Sequence, residues 1–210
     1  MYTLFGTKRS GSAAIEIALK RCGIEYHLTS ASSWLEGNGS EQLKRLNPLM
    51  QVPTLQLPDG SVMSESAAIL TYLGLEFPGA ALLAQAPAER AQQLRALVYI
   101  AANCYAAIGV TDYPERWLPN AEEDTLKQLA DGAEARLHEY WDTFSDVFAK
   151  TAAWHPEQPG APEILACVVT QWSGTREHLK TSRPAFYQAL LHIDRHPVVE
   201  PVLQSHWPVA

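Results

Sequence analysis

Three things are scarce in this sequence of 210 residues, and each scarcity argues against a class of protein. The three cysteines lie far apart with no CxxC pair, which argues against a disulfide framework and a thiolate zinc site. Acidic side chains outnumber basic ones by 23 to 16, which argues against a nucleic-acid or anionic-lipid partner. Apolar runs fall short of the ~20 residues that span a bilayer. The first residues also lack the basic start and apolar core of a signal peptide.

What is present indicates a globular protein with a substantial core. Apolar residues make up 47% of the chain and charged residues 19%, a mixture too apolar for a disordered chain. A chain of this length buries roughly 70% of its unfolded surface, so it needs neither disulfides nor a metal to fold. We therefore expect a cytoplasmic protein with no metal, no nucleic-acid partner and no membrane partner.

The first part of the chain alternates short strand-like and helix-like segments. Asp59-Gly60 is a strong signal for a tight turn between two strands. The predicted order is β-α-β-(short α)-β-β-α. Strands are expected near 2–5, 24–29, 52–57 and 61–63, with helices near 12–21, 41–46 and 65–76.

The second part carries almost no strand signal. Its apolar residues recur at helical spacing, and we expect helices near 89–110, 121–149, 160–178 and 183–192. The predicted domains are 1–78, a linker at 79–88, and an all-helical domain at 89–210. Charge divides unevenly between the two parts: residues 1–80 hold 6 basic and 7 acidic side chains, and residues 81–210 hold 10 and 16.

Two motifs in the first part are specific as a pair, although either alone would be weak. The sequence NPLMQVPTL occupies 47–55, and SESAAIL occupies 64–70. Together they resemble the N-terminal domain of the bacterial-type cytosolic glutathione S-transferases, and the helical second part matches what that family places after it. The resemblance covers nearly the whole chain. It implies an α/β thioredoxin-like N-terminal domain followed by an all-α C-terminal domain.

The first motif implies one half of a glutathione site, at Gln51, Val52 and Pro53. In the family the bond before the matching proline is cis, which turns the backbone of Val52 outward. Its N–H and C=O can then pair, like a strand, with the cysteinyl backbone of glutathione. The alternative is an ordinary trans proline between a loop and a strand.

The second motif places Glu65 and Ser66 at the start of a helix, where free N–H groups and the helix dipole favour an anion. Ser66 can bind the carboxylate of the γ-glutamyl group, and Glu65 can face the neighbouring ammonium. The alternative is plain helix capping by Ser64 or Ser66.

The residue that activates the thiol is expected in the loop after the first strand. Counting from that strand, Ser10 falls on the catalytic serine of the serine-type classes. Counting back from the following helix, Gly11 falls on the cysteine of the beta class. Ser12 is the fallback, although it is also a natural N-cap. No cysteine lies between Gly6 and Ala18, which disfavours thiol-transfer chemistry.

In the helical part, Tyr105 falls close to a position where beta-like enzymes carry a histidine, and it is expected in the acceptor site. Farther along, Gly160 and Glu163 stand where the family has a Ser/Thr-x-x-Asp capping box. Glycine has no hydroxyl, so the reciprocal cap is expected to be lost.

The resemblance implies a homodimeric glutathione transferase that acts in detoxification. Glutathione is its substrate, and Ser10 holds a thiolate that attacks small, electrophilic, mostly apolar acceptors. Two alternatives stay open. One is a glutathione-binding module with little catalysis. The other is a zeta-like isomerase or dehalogenase that uses glutathione without consuming it.

Overall fold

The first part of the chain folds in the predicted order of strands and helices. The computed structural model describes residues 1–208. The elements of the first part are β1 (Tyr2–Gly6), α1 (Ser12–Arg21), β2 (Tyr26–Ser30), α2 (Asn38–Leu46), β3 (Thr54–Gln56), β4 (Val62–Ser64) and α3 (Ser66–Glu76). The strands form one sheet in the order β2-β1-β3-β4, in which only β1 and β2 are parallel. The thioredoxin-like prediction is confirmed.

The register of this sheet brings the two sequence motifs together. Phe5 near the end of β1 pairs with Thr54 at the start of β3, and Thr54 pairs in turn with Ser64 at the end of β4. Antiparallel pairing therefore puts the loop after β1, the segment before β3 and the start of α3 at one end of the sheet.

Within the described residues, the second part is helical throughout, as predicted. Its elements are α4 (Pro87–Tyr99), a π-helical stretch (Ile100–Tyr105), α5 (Ala106–Asp112), α6 (Glu123–Val147), α7 (Ala161–Val169), α8 (Thr175–Ser182), α9 (Pro184–Asp194) and α10 (Glu200–His206). The helix predicted over 160–178 is divided into two, because Ser173 and Gly174 adopt positive φ angles and turn the chain. Helix α10 was not predicted, since prolines surround it.

The continuous helical segment Pro87–Asp112 is longer and more apolar than the sequence analysis expected. Its 26 residues would suffice, by length and composition alone, to cross a membrane. A single segment of this kind is weak evidence for a membrane span, because the core helix of a folded domain can have the same length and composition. Here Ala96, Leu97, Ile100 and Cys104 are buried in the core that both parts of the chain share.

Helix α1 lies at the centre of that core. Every residue from Ser12 to Leu19 is buried, although the apolar spacing alone predicts one buried face. The helix packs against β1 and α3 of the first part and against α7 and α10 of the second part. A helix buried on all sides fixes its neighbours, so α1 holds the sheet and the helical part in a single arrangement.

A buried hydrogen bond between two side chains links α1 to the last described helix. Glu16 Oε1 lies 2.6 Å from His206 Nε2, with the two side chains 10% and 4% exposed. A buried carboxylate is tolerated when a partner satisfies it. The pair therefore fixes α10 against the N-terminal part of the chain.

The start of α7 is held by Glu163, which is fully buried. Its Oε2 accepts a hydrogen bond from Gly160 N at 3.0 Å, and its Oε1 accepts one from His155 N at 2.7 Å. The capping box therefore lacks only the hydroxyl of the N-cap residue, while the Glu163 side chain still accepts its bond from the N-cap backbone. A β-carbon at residue 160 would lie 2.8 Å from the carbonyl oxygen of Leu82, which explains the glycine. Burial raises the pKa of Glu163, and its backbone hydrogen bonds oppose that rise.

The substitution Glu163→Ala should lower the free energy of unfolding by roughly 2–4 kcal/mol, because two N–H groups lose their acceptor. Glu163→Gln should fall between the wild type and the alanine variant. Urea unfolding followed by circular dichroism measures both. The matched control is Glu122→Ala at the start of α6, where the exposed side chain makes no capping bond, and a change within about 0.5 kcal/mol is expected. Equal losses at the two positions would contradict the proposed role of Glu163.

Candidate functional site

The loop between β1 and α1 turns the hydroxyl of Ser10 inward. Ser10 Oγ donates to the carbonyl oxygen of Thr7 at 2.7 Å, accepts from Ser12 N at 3.2 Å and lies 2.9 Å from Ser12 Oγ. Ser10 is only 6% exposed. A serine hydroxyl has one proton to donate, and here it goes to the loop's own backbone. The catalytic role of Ser10 therefore stays a prediction.

The fallback residue Ser12 is also turned into the loop. It is the first residue of α1 rather than its N-cap, and it is fully buried. Its hydroxyl lies 3.2 Å from the carbonyl oxygen of Thr7. Both serines thus stabilise the loop, and the expected capping by Ser12 is not observed.

Gly11 faces the other predicted site residues. A β-carbon built on Gly11 would lie 2.5 Å from the hydroxyl oxygen of Tyr105 and 3.3 Å from both Pro53 Cδ and Ser66 Oγ. The structure therefore brings Pro53, Ser66 and Tyr105 together around Gly11. The sequence alignment from α1 points to Gly11, and the alignment from β1 points to Ser10. Gly11 is the residue that faces Pro53, Ser66 and Tyr105.

The Val52–Pro53 bond is cis, as the resemblance implies. The preceding turn is held by Asn47, whose Nδ2 donates to Gln51 O at 3.2 Å and to Thr54 Oγ1 at 3.0 Å. Within the described part of the chain, the backbone N–H and C=O of Val52 form no hydrogen bond. Gln51 is exposed and Val52 half-buried, so both remain accessible to a ligand.

Helix α3 begins at Ser66 without a side-chain cap, so the capping alternative is not observed. Its first N–H groups are therefore left for a ligand or for water. Ser66 is 7% exposed, and its hydroxyl lies on the Gly11 side. Glu65 is exposed and has a φ of 68° and a ψ of 110°, a conformation unusual for any residue other than glycine. Backbone strain of this kind is typical of ligand-binding positions.

Tyr105, at the end of the π-helical stretch, places its hydroxyl beside Gly11. Its hydroxyl is buried and has no hydrogen-bond partner among the described residues. Burial raises the pKa of Tyr105 to about 12, a rise that the nearby Ser66 hydroxyl opposes and the Glu65 charge adds to. The phenol is therefore neutral at physiological pH and able to donate a hydrogen bond.

The sequence analysis missed two tryptophans near Tyr105: Trp172 lies beside it, and Trp207 lies beside Trp172. The rings of Tyr105 and Trp172 are 6.1 Å apart, and those of Trp172 and Trp207 are 6.0 Å apart. Trp172 Nε1 also donates to the carbonyl oxygen of Arg9 at 3.3 Å, which ties this aromatic wall to the β1–α1 loop. Only long-range packing brings these residues together, so no local pattern could have identified them.

A cleft of about 490 Å³ lies elsewhere, between the linker and the loop before α7. Its lining includes Gln93, Trp154 and His155, and none of the predicted site residues. In addition, the described residues hold no group of three or more His, Cys, Asp or Glu side chains that could bind a metal.

Comparison with known proteins identifies similar chains. Residues 12–75 match the family described as "Glutathione S-transferase, N-terminal domain". The chain is 38% identical over 181 residues to YncG, an uncharacterised glutathione S-transferase-like protein of Escherichia coli K12, and the match covers 84% of each chain.

Of two further similarities, one covers only part of the chain and the other concerns the fold of the whole chain. Maleylacetoacetate isomerase of Rattus norvegicus is 38% identical over 93 residues, which cover 43% of this chain and 42% of the isomerase. The crystal structure of a glutathione transferase homologue from Sulfitobacter with bound glutathione has a TM-score of 0.78. It covers 98% of both chains at 19% identity, so the likeness concerns the fold.

The strained backbone at residue 65 leads to a prediction about the free energy of unfolding. Glu65→Gly should raise the free energy of unfolding by about 1 kcal/mol, since glycine adopts this conformation without steric cost. Glu65→Ala removes the same carboxylate but keeps the β-carbon, so it should give no such gain. Urea unfolding compares the two variants. Equal stability of the glycine and alanine variants would show that the backbone here is not strained.

Proposed function

Because the chain belongs to the cytosolic glutathione S-transferase family, we propose that it is a glutathione transferase that conjugates the glutathione thiolate to small electrophiles. The observation that carries the proposal is that Pro53 and Ser66 converge beside Gly11. Pro53 directly follows the Val52 backbone, which forms no hydrogen bond within the described residues, and Ser66 begins the uncapped N-terminus of α3. The candidate site then offers a strand-like backbone edge at Val52 and an anion-binding helix N-terminus at Ser66. Glutathione has a matching peptide backbone and a γ-glutamyl carboxylate.

Glutathione binds in the proposed site through three kinds of contact. The N–H and C=O of Val52 pair with its cysteinyl backbone, next to Gln51 and Pro53. The first N–H groups of α3 and the hydroxyl of Ser66 bind the γ-glutamyl carboxylate. Glu65 faces the neighbouring ammonium. The near-neutral first part of the chain, with 6 basic and 7 acidic side chains in residues 1–80, adds little repulsion toward an anionic peptide.

The proposed reaction is a nucleophilic substitution or addition by the sulfur. The thiol loses its proton to water, and the thiolate electron pair forms a bond to an electrophilic carbon of the acceptor. In a substitution, the leaving group departs with the electron pair of its own bond. Holding both reactants in one cleft contributes through proximity.

The acceptor side of the site is proposed to lie at the aromatic wall of Tyr105, Trp172 and Trp207. These rings offer an apolar surface with few polar groups, which suits apolar and aromatic electrophiles. The family resemblance further supports a homodimeric, cytoplasmic protein with a role in detoxification.

A glutathione-dependent isomerase is the second candidate, and the 38% identity to maleylacetoacetate isomerase over 93 residues favours it. An isomerase returns glutathione unchanged, whereas a transferase consumes it. Product analysis with maleylacetoacetate, and separately with electrophilic test substrates, distinguishes the two functions.

A glutathione-binding module with little catalysis is the third candidate. The engagement of the Ser10 hydroxyl within its own loop favours it. A module of this kind would bind glutathione in calorimetry yet leave every electrophilic test substrate unconverted in steady-state assays.

The glutathione site predicts unequal effects of two substitutions. Ser66→Ala should weaken glutathione binding roughly 10- to 100-fold, because a buried hydroxyl that binds a carboxylate is lost. Glu65→Gln should weaken it only about 2- to 5-fold, because ion pairs of exposed side chains contribute little. Isothermal titration calorimetry with glutathione measures both effects.

The matched control is Glu76→Gln, an exposed carboxylate at the far end of α3, which should leave the affinity unchanged. If Ser66→Ala bound glutathione as tightly as the Glu76→Gln control, the proposed orientation of the tripeptide would be wrong.

A further inference from the structure

Two hydroxyl groups could face the sulfur of bound glutathione, and their surroundings differ. The Ser10 hydroxyl donates to the Thr7 carbonyl at 2.7 Å and accepts from Ser12 N. Turning it toward a ligand would leave Ser12 N without its acceptor and the Thr7 carbonyl with only the longer contact to Ser12 Oγ at 3.2 Å. The Tyr105 hydroxyl is buried and makes no hydrogen bond within the described chain.

The position of the Tyr105 hydroxyl is defined by Gly11. A β-carbon at residue 11 would lie 2.5 Å from this oxygen, so the phenol occupies the space that a side chain at residue 11 would fill. The same point lies 3.3 Å from Pro53 Cδ and from Ser66 Oγ, which border the proposed binding site of glutathione. The hydroxyl therefore stands between the cysteinyl and γ-glutamyl parts of that site.

We propose that the Tyr105 hydroxyl is the catalytic group that hydrogen-bonds the glutathione sulfur, and that Ser10 serves only to shape the loop. This inference rests on the proposed function. On binding, the glutathione thiol gives its proton to water, and the phenol keeps its own proton and donates a hydrogen bond to the sulfur anion. Hydrogen bonds to an ionised acceptor are about twice as strong as neutral ones.

The burial of Tyr105 suits this role. With its pKa raised to about 12, the phenol stays protonated at the pH where the thiol ionises. A buried hydroxyl without a partner is unfavourable, and a bound thiolate would supply the missing acceptor. Trp172 packs against the ring and is itself bonded to Arg9 O, which holds the phenol in place.

Gly11 offers an independent way to test the contact. Its φ of −60° and ψ of −12° are accessible to alanine, so Gly11→Ala adds a methyl group without backbone strain. That methyl group would collide with the Tyr105 oxygen. Removing the oxygen should therefore relieve the effect of the alanine.

The experiment measures the pKa of the thiol of bound glutathione from the ultraviolet absorbance of its thiolate, with S-methylglutathione as the non-ionising blank. Tyr105→Phe should raise this pKa by about one to two units toward the value of about 8.5 for a free thiol. Calorimetric affinity for glutathione at a pH where the thiol is protonated should change less than about twofold, because the thiolate bond is then absent.

Two controls accompany this variant. Tyr99→Phe removes a hydroxyl at the end of α4 that donates to Tyr140 O of α6 at 3.0 Å, and it should leave the thiol pKa unchanged. Ser10→Ala should lower the melting temperature and likewise leave the thiol pKa unchanged. In addition, Gly11→Ala should raise the thiol pKa in the wild type but have little further effect in Tyr105→Phe.

The outcomes separate this inference from the proposed function. Glutathione binding with an unchanged thiol pKa in Tyr105→Phe would overturn the inference alone, and a raised pKa in Ser10→Ala would identify Ser10 as the donor instead. Failure of the wild type to bind glutathione at all would overturn the proposed function and this inference with it.

Discussion

The burial of α1 on every side is the constraint on which the rest of the structure depends. Every residue from Ser12 to Leu19 is buried, so β1, α3, α7 and α10 all pack around one short helix. The Glu16–His206 pair adds a polar link within that packing. As a result, the two parts of the chain share a core, and the N-terminal end of α1 lies where they meet.

The candidate site is a consequence of that arrangement. The sheet register brings the segment before β3 and the start of α3 to the same end as the β1–α1 loop. Packing of the helical part on α1 then delivers the Tyr105 hydroxyl to Gly11. Within the part of the chain that the structure describes, the polar groups without partners at Val52, Ser66 and Tyr105 therefore come from three separate segments.

Local patterns in the sequence were enough to predict the order of strands and helices along the first part of the chain, because neighbouring residues specify these elements. The cis bond before Pro53 followed from the family resemblance and not from a local pattern. The orientation of Ser10 could not be predicted, since one residue of loop length decides whether residue 10 or residue 11 faces the site. Trp172 and Trp207 were missed because only tertiary packing brings them to the site. Glu163 was only partly understood, because its second acceptor oxygen is used by His155, outside the capping motif.

A crystal structure of the protein with glutathione bound tests the central claim most directly. We expect the γ-glutamyl carboxylate at the first N–H groups of α3 beside Ser66, the cysteinyl backbone paired with Val52, and the sulfur within hydrogen-bonding distance of the Tyr105 hydroxyl. A γ-glutamyl group bound away from Ser66, or a sulfur that contacts Ser10 and not Tyr105, would contradict the arrangement proposed for this site.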